Sequence, residues 1–283
     1  MSRGEGLVVA NVSRFYRTEK RLLRPAKLFT AVDDVSFTLA PEDVLGIVGE
    51  SGSGKSTLGR IAAGIDRQGS GSVSFGGEAY ARIGSAQWRR QRQGVQFVFQ
   101  NPAGAVDPRL AIYDQVAEAL DAHEKLARNE RHRRITEMLD LVGLLSLAQR
   151  VPQQLSGGQL QRAVIARALV MRPRLLICDE AVSALDVSVQ AQIINLLVSL
   201  REQLGLSMIF ITHDLSVARH ISRNVAVMHR GRIVEMNDAA TLFEAPRHDY
   251  TRKLLAAIPA SSPAARRARD AAKLKAAQTE VLA

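Results

Sequence analysis

The sequence predicts a mixed α/β fold with a helical segment inserted into it. Three observations carry this. Short apolar runs of strand length occur in both the first and last thirds of the chain. Between residues 111 and 171 those runs vanish and helical spacing takes over. One buried run also leads through a Gly-rich turn straight into a helical stretch, the order typical of parallel sheets covered by helices.

In chain order, residues 7–12 and 35–39 alternate apolar and polar and read as strands. Residues 44–48, Val-Leu-Gly-Ile-Val, form a continuous apolar run, as expected for a strand covered on both faces. A helix is expected from about Lys55, then strands at 72–75 and 95–99. Residues 131–142 place Ile135, Met138, Leu139 and Val142 on one helical face. A further helix is expected at 160–171, and strand runs return at 175–178, 208–211, 225–228 and 233–234. After Pro263 the chain turns Ala-, Arg- and Lys-rich, which predicts a basic, flexible tail over 260–283. No internal repeat is visible.

The 283 residues allow one large domain or two small ones, and 46% apolar content excludes disorder of the whole chain. No run of eighteen apolar residues occurs, so a membrane-spanning helix is not expected. Residues 1–6 lack an apolar stretch, so no secretory leader is expected either. The one cysteine, Cys178, rules out an internal disulfide or an all-cysteine metal site, and a reducing intracellular setting is expected. The net charge of +10 favours a polyanionic neighbour. Much of it lies in residues 14–27 (Arg14, Arg17, Lys20, Arg21, Arg24, Lys27) and in the tail. Both read as solvated segments, with contact to anionic lipid as the second reading. No recognition-helix or zinc-finger pattern accompanies the charge, so no nucleic-acid partner is expected.

Residues 49–57 read Gly49, Glu50, Ser51, Gly52, Ser53, Gly54, Lys55, Ser56, Thr57 and fit the phosphate-loop pattern G-x-x-x-x-G-K-[ST], with a strand before and a helix after. Glycines let the backbone wrap a phosphate chain, and amides at the helix start point at the anion. Lys55 neutralises phosphate charge, and the Ser56 hydroxyl is a hard oxygen suited to Mg²⁺. Residues 175–180 are an apolar strand ending in Asp179 and Glu180. Ligands of open parallel sheets bind beyond the carboxyl ends of the strands, which puts Asp179 beside the phosphate loop as a Mg²⁺ group. Glu180, one step further out, suits a general base for an attacking water. Cys178 reads as a buried thiol without chemistry. Residues 155–159, Leu-Ser-Gly-Gly-Gln, cap a helix with Ser156 and aim the amides of Gly157 and Gly158 outward.

With its phosphate loop, Leu-Ser-Gly-Gly-Gln about twenty residues before Asp179, and the strand ending in Asp179 and Glu180, the sequence resembles the ATP-binding subunits of ABC transporters over residues 7 to about 258. The resemblance implies a P-loop NTPase (RecA-like) core with an N-terminal antiparallel β-subdomain and an inserted α-helical subdomain over about 101–170. It places a nucleotide-binding domain at 7–259, with a family-specific extension over about 240–259. Gln100 matches the glutamine that reaches Mg²⁺ and water and relays to the membrane subunit. Asp186, in Ser-Ala-Leu-Asp, matches the loop that meets the opposing subunit, and His213 matches the histidine on the γ-phosphate. Tyr16, in Asn-Val-Ser-Arg-Phe-Tyr, matches the aromatic that stacks on adenine. Ser156, Gly157, Gly158 and Gln159, the family signature, together with Asp186, are implied to reach ATP in trans, across a dimer.

Three segments are similar to the importers of dipeptides, oligopeptides and nickel: residues 46–52, 182–192 and 248–259. That resemblance implies ATP and Mg²⁺ as cofactors and a second, different ATP-binding subunit. It also implies two permease subunits, an extracytoplasmic solute-binding protein, and a peripheral location on the cytoplasmic face of the bacterial inner membrane. Peptides are the expected cargo, with nickel, glutathione, opines or sugars as alternatives. An exporter subunit and a DNA-acting ATPase are the more distant rivals. In 248–259, Tyr250, Leu254, Leu255 and Ile258 share a helix face expected to dock on the core. Glu42 stands where the family usually has Gly, a change expected to affect turn geometry, and Ala181 replaces a frequent Pro. Without a cysteine cluster, the iron–sulfur group of some relatives is not expected.

Overall fold

The computed structural model describes residues 6–17 and 28–257. The strands are β1 (Leu7–Arg17), β2 (Leu28–Leu39), β3 (Val44–Val48), β4 (Ser70–Phe75), β5 (Glu78–Ala79), β6 (Val95–Val98), β7 (Leu175–Asp179), β8 (Ser207–Thr212), β9 (Asn224–His229) and β10 (Arg232–Asp238). The helices are α1 (Lys55–Ala62), α2 (Ala86–Gln93), α3 (Ile112–Asp121), α4 (Arg128–Leu141), α5 (Gly157–Leu169), α6 (Val187–Leu204), α7 (Leu215–Ile221), α8 (Ala239–Glu244) and α9 (Asp249–Ala256).

Two sheets organise these elements. One is antiparallel in the order β2-β1-β4-β5, and the other runs β10-β9-β3-β8-β7-β6. Its strands are parallel except at the β10 edge. The parallel strands are buried on both faces, and the two-residue period turns alternate residues to opposite sides of the sheet. Leu45, Ile47, Ile177, Ile209 and Ile211 face α1 and the antiparallel sheet. Leu176, Cys178, Met208 and Phe210 face the helical layer, where Val116, Leu120, Ile135, Leu139 and Ile165 pack.

The strands over 7–12 and 35–39 extend further than alternation suggests. Register shifts interrupt the β1–β2 pairing after Val9, Val12 and Arg14, and Asn11 and Asp34 adopt φ of 49° and 51°. Each bulge shifts the phase of the alternation, so the pattern ends in the sequence while the hydrogen-bonded ladder continues. The helix expected at 160 begins at Gly157, because Ser156 is its N-cap. β10 is longer than residues 233–234 because it is an edge strand with many exposed polar positions. Arg14, expected to be solvated, forms an ion pair with Asp66 at 3.1 Å. Residues 18–27, Ile258, Pro259 and the 260–283 tail lie outside the described residues.

Glu42 adopts φ 61°, the left-handed region where Gly carries no Cβ penalty, and its N–H donates to Ser207 Oγ at 2.9 Å. The far end of α1 is held by side chains from the segment after β4. Tyr80 Oη donates to the Ala62 carbonyl, Arg92 Nη1 to that of Ala63, and Trp88 Nε1 to that of Gly64, at 2.8, 2.7 and 2.7 Å. These satisfy carbonyls that a helix C-terminus leaves unpaired, and so fix the helix whose other end opens the phosphate loop.

Candidate active site

The site forms at the carboxyl ends of β3, β6, β7 and β8. The phosphate loop leaves β3 through Gly49, Gly52 and Gly54, with φ of 153°, 79° and 104°. A Cβ at Gly49 would lie 2.1 Å from the Met228 carbonyl oxygen, and one at Gly54 2.1 Å from that of Ala31. Backbone therefore closes on the loop from two sides, and only glycine fits. Gly54 caps α1 without a side-chain bond, and no acidic residue lies in the first turn. The loop is thus prepared for an anion.

Lys55 is 4% exposed, and its Nζ donates to the carbonyls of Gly49 and Glu50, both at 2.8 Å. Burial lowers its pKa, opposed by the charges of Glu180, Asp179 and Glu50. Phosphate oxygens are the natural replacement for those carbonyls, since a buried ammonium gains most from a full negative charge. Ser56 Oγ donates to Asp179 Oδ1 at 2.9 Å. Burial pushes the Asp179 carboxyl up, against the Ser56 hydrogen bond. Among the described residues no group of three or more His, Cys, Asp or Glu side chains could hold a metal by itself. The Ser56–Asp179 oxygen pair fits Mg²⁺ instead, which is commonly held by one or two protein oxygens with phosphate and water completing the shell.

Glu180 is the meeting point of the remaining groups. Gln100, after β6, donates from Nε2 to Glu180 Oε2 at 2.8 Å. His213, after β8, places Nδ1 3.6 Å from Glu180 Oε1. Glu180 has φ 47°, an uncommon value for a non-glycine residue, and its N–H is tied to the Ile211 carbonyl at 2.9 Å. Strain held in place by neighbouring strands is a mark of functional positions.

The signature residues gather elsewhere. Ser156 and Gln159 form a reciprocal capping box at the start of α5. A Cβ at Gly157 would lie 3.4 Å from Leu185 Cδ2, and one at Gly158 2.4 Å from Val189 Cγ1. Asp186 caps α6 by accepting from the Val189 N–H and the Ser188 hydroxyl, and these bonds hold its carboxyl below its ordinary range. Among the described residues no hydrogen bond links 156–159 or Asp186 to the phosphate loop. Tyr16 Oη donates to Asp66 Oδ2 at 2.9 Å, and the Arg14 guanidinium lies 4.8 Å from its ring centre. Among the described residues no hydrogen bond links Tyr16 to residues 49–57 either.

One contact to the loop was not foreseen from the sequence: the Glu50 N–H donates to the Tyr250 hydroxyl at 3.3 Å. Tyr250, Leu254 and Leu255 do pack on the core as expected.

Comparison with known proteins agrees with this geometry. Residues 32–183, more than half of the chain, match the ABC transporter family, and residues 234–282 match the oligopeptide/dipeptide transporter C-terminal region. A protein of Brucella abortus, provisionally named a peptide import ATP-binding protein, is 50% identical over 81% of this chain and 69% of its own length. The oligopeptide transport ATP-binding protein OppD of Mycobacterium tuberculosis is 46% identical over 93% of this chain. The glutathione import ATP-binding protein GsiA of Escherichia coli O6:H1 is 44% identical over 90%. The chain spans 44% and 41% of those two proteins' own lengths. Among solved structures, a dimeric ATP-binding cassette in a post-hydrolysis state with ADP and Pi has a TM-score of 0.73 at 28% identity, covering 82% of this chain and 98% of that one. CbiO1 of Clostridium perfringens, part of the transporter complex CbiONQ, has a TM-score of 0.74 at 27% identity, covering 86% and 92%. Phosphate loop, acidic strand end and C-terminal region thus agree, and the chain belongs to the ABC transporter family, among the ATP-hydrolysing import subunits.

Proposed function

We propose that this chain powers the uptake of di- or oligopeptides as one of two ATP-hydrolysing subunits beneath a pair of permeases. The observation that carries the catalytic part is the convergence of Gln100 and His213 on the Glu180 carboxylate, beside the Ser56–Asp179 pair and Lys55. Lys55 turns from the loop carbonyls to the phosphates. Glu180 takes the proton of the attacking water, Gln100 orients that water, and His213 contacts the γ-phosphate. Phosphoryl transfer needs chiefly positioning and charge stabilisation, which these groups provide. Ser56 and Asp179, with Gln100 in reach, would hold Mg²⁺, which would supply positive charge to offset that of the phosphates. Tyr16 offers its half-buried ring to the adenine.

Ser156, Gly157, Gly158, Gln159 and Asp186 serve the nucleotide of a second, different ATP-binding subunit. Their position at the starts of α5 and α6, without bonds to this chain's own loop, supports a site shared across a dimer. ATP bridges the two halves, and hydrolysis removes the bridge. A groove of about 470 Å³ between β6 and the helical layer, lined by Phe99, Ala105, Ala119 and Arg167, supports permease docking next to Gln100. The assembly would sit on the cytoplasmic face of the inner membrane and receive cargo from an extracytoplasmic binding protein.

Cells carrying only the Glu180→Gln chain test this. The variant should bind ATP normally, lose at least ~100-fold in hydrolysis, as expected for loss of a general base, and abolish uptake of labelled peptides. Near-normal hydrolysis by the assembled transporter would overturn the assigned base. Intact peptide uptake with lost glutathione uptake would move the cargo to glutathione, a reading the similarity to GsiA favours next.

A further inference from the structure

We propose that Tyr250 is a positioning residue of the phosphate loop, through which the C-terminal helix α9 and nucleotide binding are coupled. The proposal rests on the nucleotide occupying residues 49–57, as argued above.

The Gly49–Glu50 peptide unit is held at both poles. Its carbonyl accepts from Lys55 Nζ at 2.8 Å, and its N–H donates to Tyr250 Oη at 3.3 Å. Hydrogen bonds at opposite ends of one peptide polarise it in the same sense and strengthen one another. Two hundred residues separate Glu50 from Tyr250, so the contact exists only because α9 is pinned against the core. Glu235 on β10 accepts the N–H groups of Arg247 and His248, at 2.8 and 3.0 Å. His248 Nδ1 accepts the Tyr250 N–H at 3.1 Å, and Thr251 is fully buried. The Tyr250 ring packs on His229, with centroids 3.9 Å apart. His229 ends β9, the strand paired in parallel with β3, from which the loop departs. Ring and hydroxyl therefore have separate tasks. The ring docks α9 on β9, and the hydroxyl fixes the first peptide of the loop.

When Lys55 moves to phosphate, the Gly49 carbonyl gives up that cationic partner, and the Tyr250 bond is what keeps the loop's entry in place. A pre-organised loop binds nucleotide better than one that must be ordered on binding. By linkage, nucleotide must in turn tighten α9 by the same factor.

Tyr250→Phe in the full chain keeps the ring and removes only the acceptor. With Mg²⁺ and a non-hydrolysable ATP analogue, the dissociation constant should rise about three- to tenfold, the range for one modest hydrogen bond. In the assembled transporter KM should rise similarly, with kcat at saturating ATP changed less than about twofold. The analogue should slow hydrogen exchange of residues 249–257 in the parent chain, and this protection should be lost in Tyr250→Phe. A purely structural role would instead lower Tm without altering the nucleotide response. Equal affinity with equal α9 protection in both chains would overturn the coupling. Failure of the parent chain to bind the analogue at all would overturn the phosphate-loop assignment itself.

Discussion

Asp179, proposed above to hold Mg²⁺, is a carboxylate whose burial costs the unliganded protein stability. Burial outweighs its hydrogen bond from Ser56, so its folded-state pKa lies above the ordinary 3.8. The folded chain thus holds the proton more tightly than the unfolded chain. The penalty is absent below 3.8 and grows as pH rises through the folded-state value. Asp179→Asn should therefore raise the nucleotide-free Tm by a few degrees at neutral pH and leave it unchanged near pH 3. It should also weaken Mg²⁺-dependent ATP binding. Thermal denaturation of both chains across that pH range checks the sign, and equal Tm values at neutral pH would refute it. Lys55 is displaced by the same cause in the opposite direction, so charge is held in a dry site on both sides of the expected phosphates.

At the scale of elements, the starts of α5 and α6 act as one unit. Ser156 and Asp186 cap the two helices, and Gly158 lets Val189 approach until no Cβ fits between them. Val is stiff at χ1, so it cannot swing aside cheaply. Gly158→Ala should cost about 1–3 kcal/mol, the usual range for overpacking, and displace the signature residues. Adding Val189→Ala should restore most of the stability. Denaturant midpoints of the single and double variants decide this, and additive losses would contradict direct contact. The Ser156 cap was readable from the sequence, whereas its reciprocal bond with Gln159 and the Gly158–Val189 contact came from the structure. Val189 belongs to a helix that arrives from the far end of the acidic strand.

Across one parallel sheet, one core backs α1 and the phosphate loop, another backs the helical layer, and a third, around Val48, Val225 and Val227, receives α9. The groove is lined by Phe99, the residue before Gln100, so a partner seated there would act on Gln100 through its chain neighbour. Ala119→Trp fills that groove without touching a nucleotide group. The isolated chain should keep its ATP affinity, and the assembled transporter should lose most of its uptake. Normal uptake by the variant would exclude the groove as the docking surface.

Sequence alone determined the chemistry that depends on local spacing. The phosphate loop of residues 49–57, the cap at Ser156, and the apolar strand ending in Asp179 and Glu180 each use neighbours a few residues apart, so their patterns survive in one dimension. Bulged strands were only half legible, because Asn11 and Asp34 break the two-residue period without breaking the ladder. Tertiary structure decided which distant groups share a site. Gln100 reaches Glu180 across 80 residues, Ser56 reaches Asp179 across 123, and Tyr250 reaches the loop across 200. Such contacts follow from strand order within a sheet, and strand order is fixed by how two apolar faces are buried together, which no single stretch of sequence encodes.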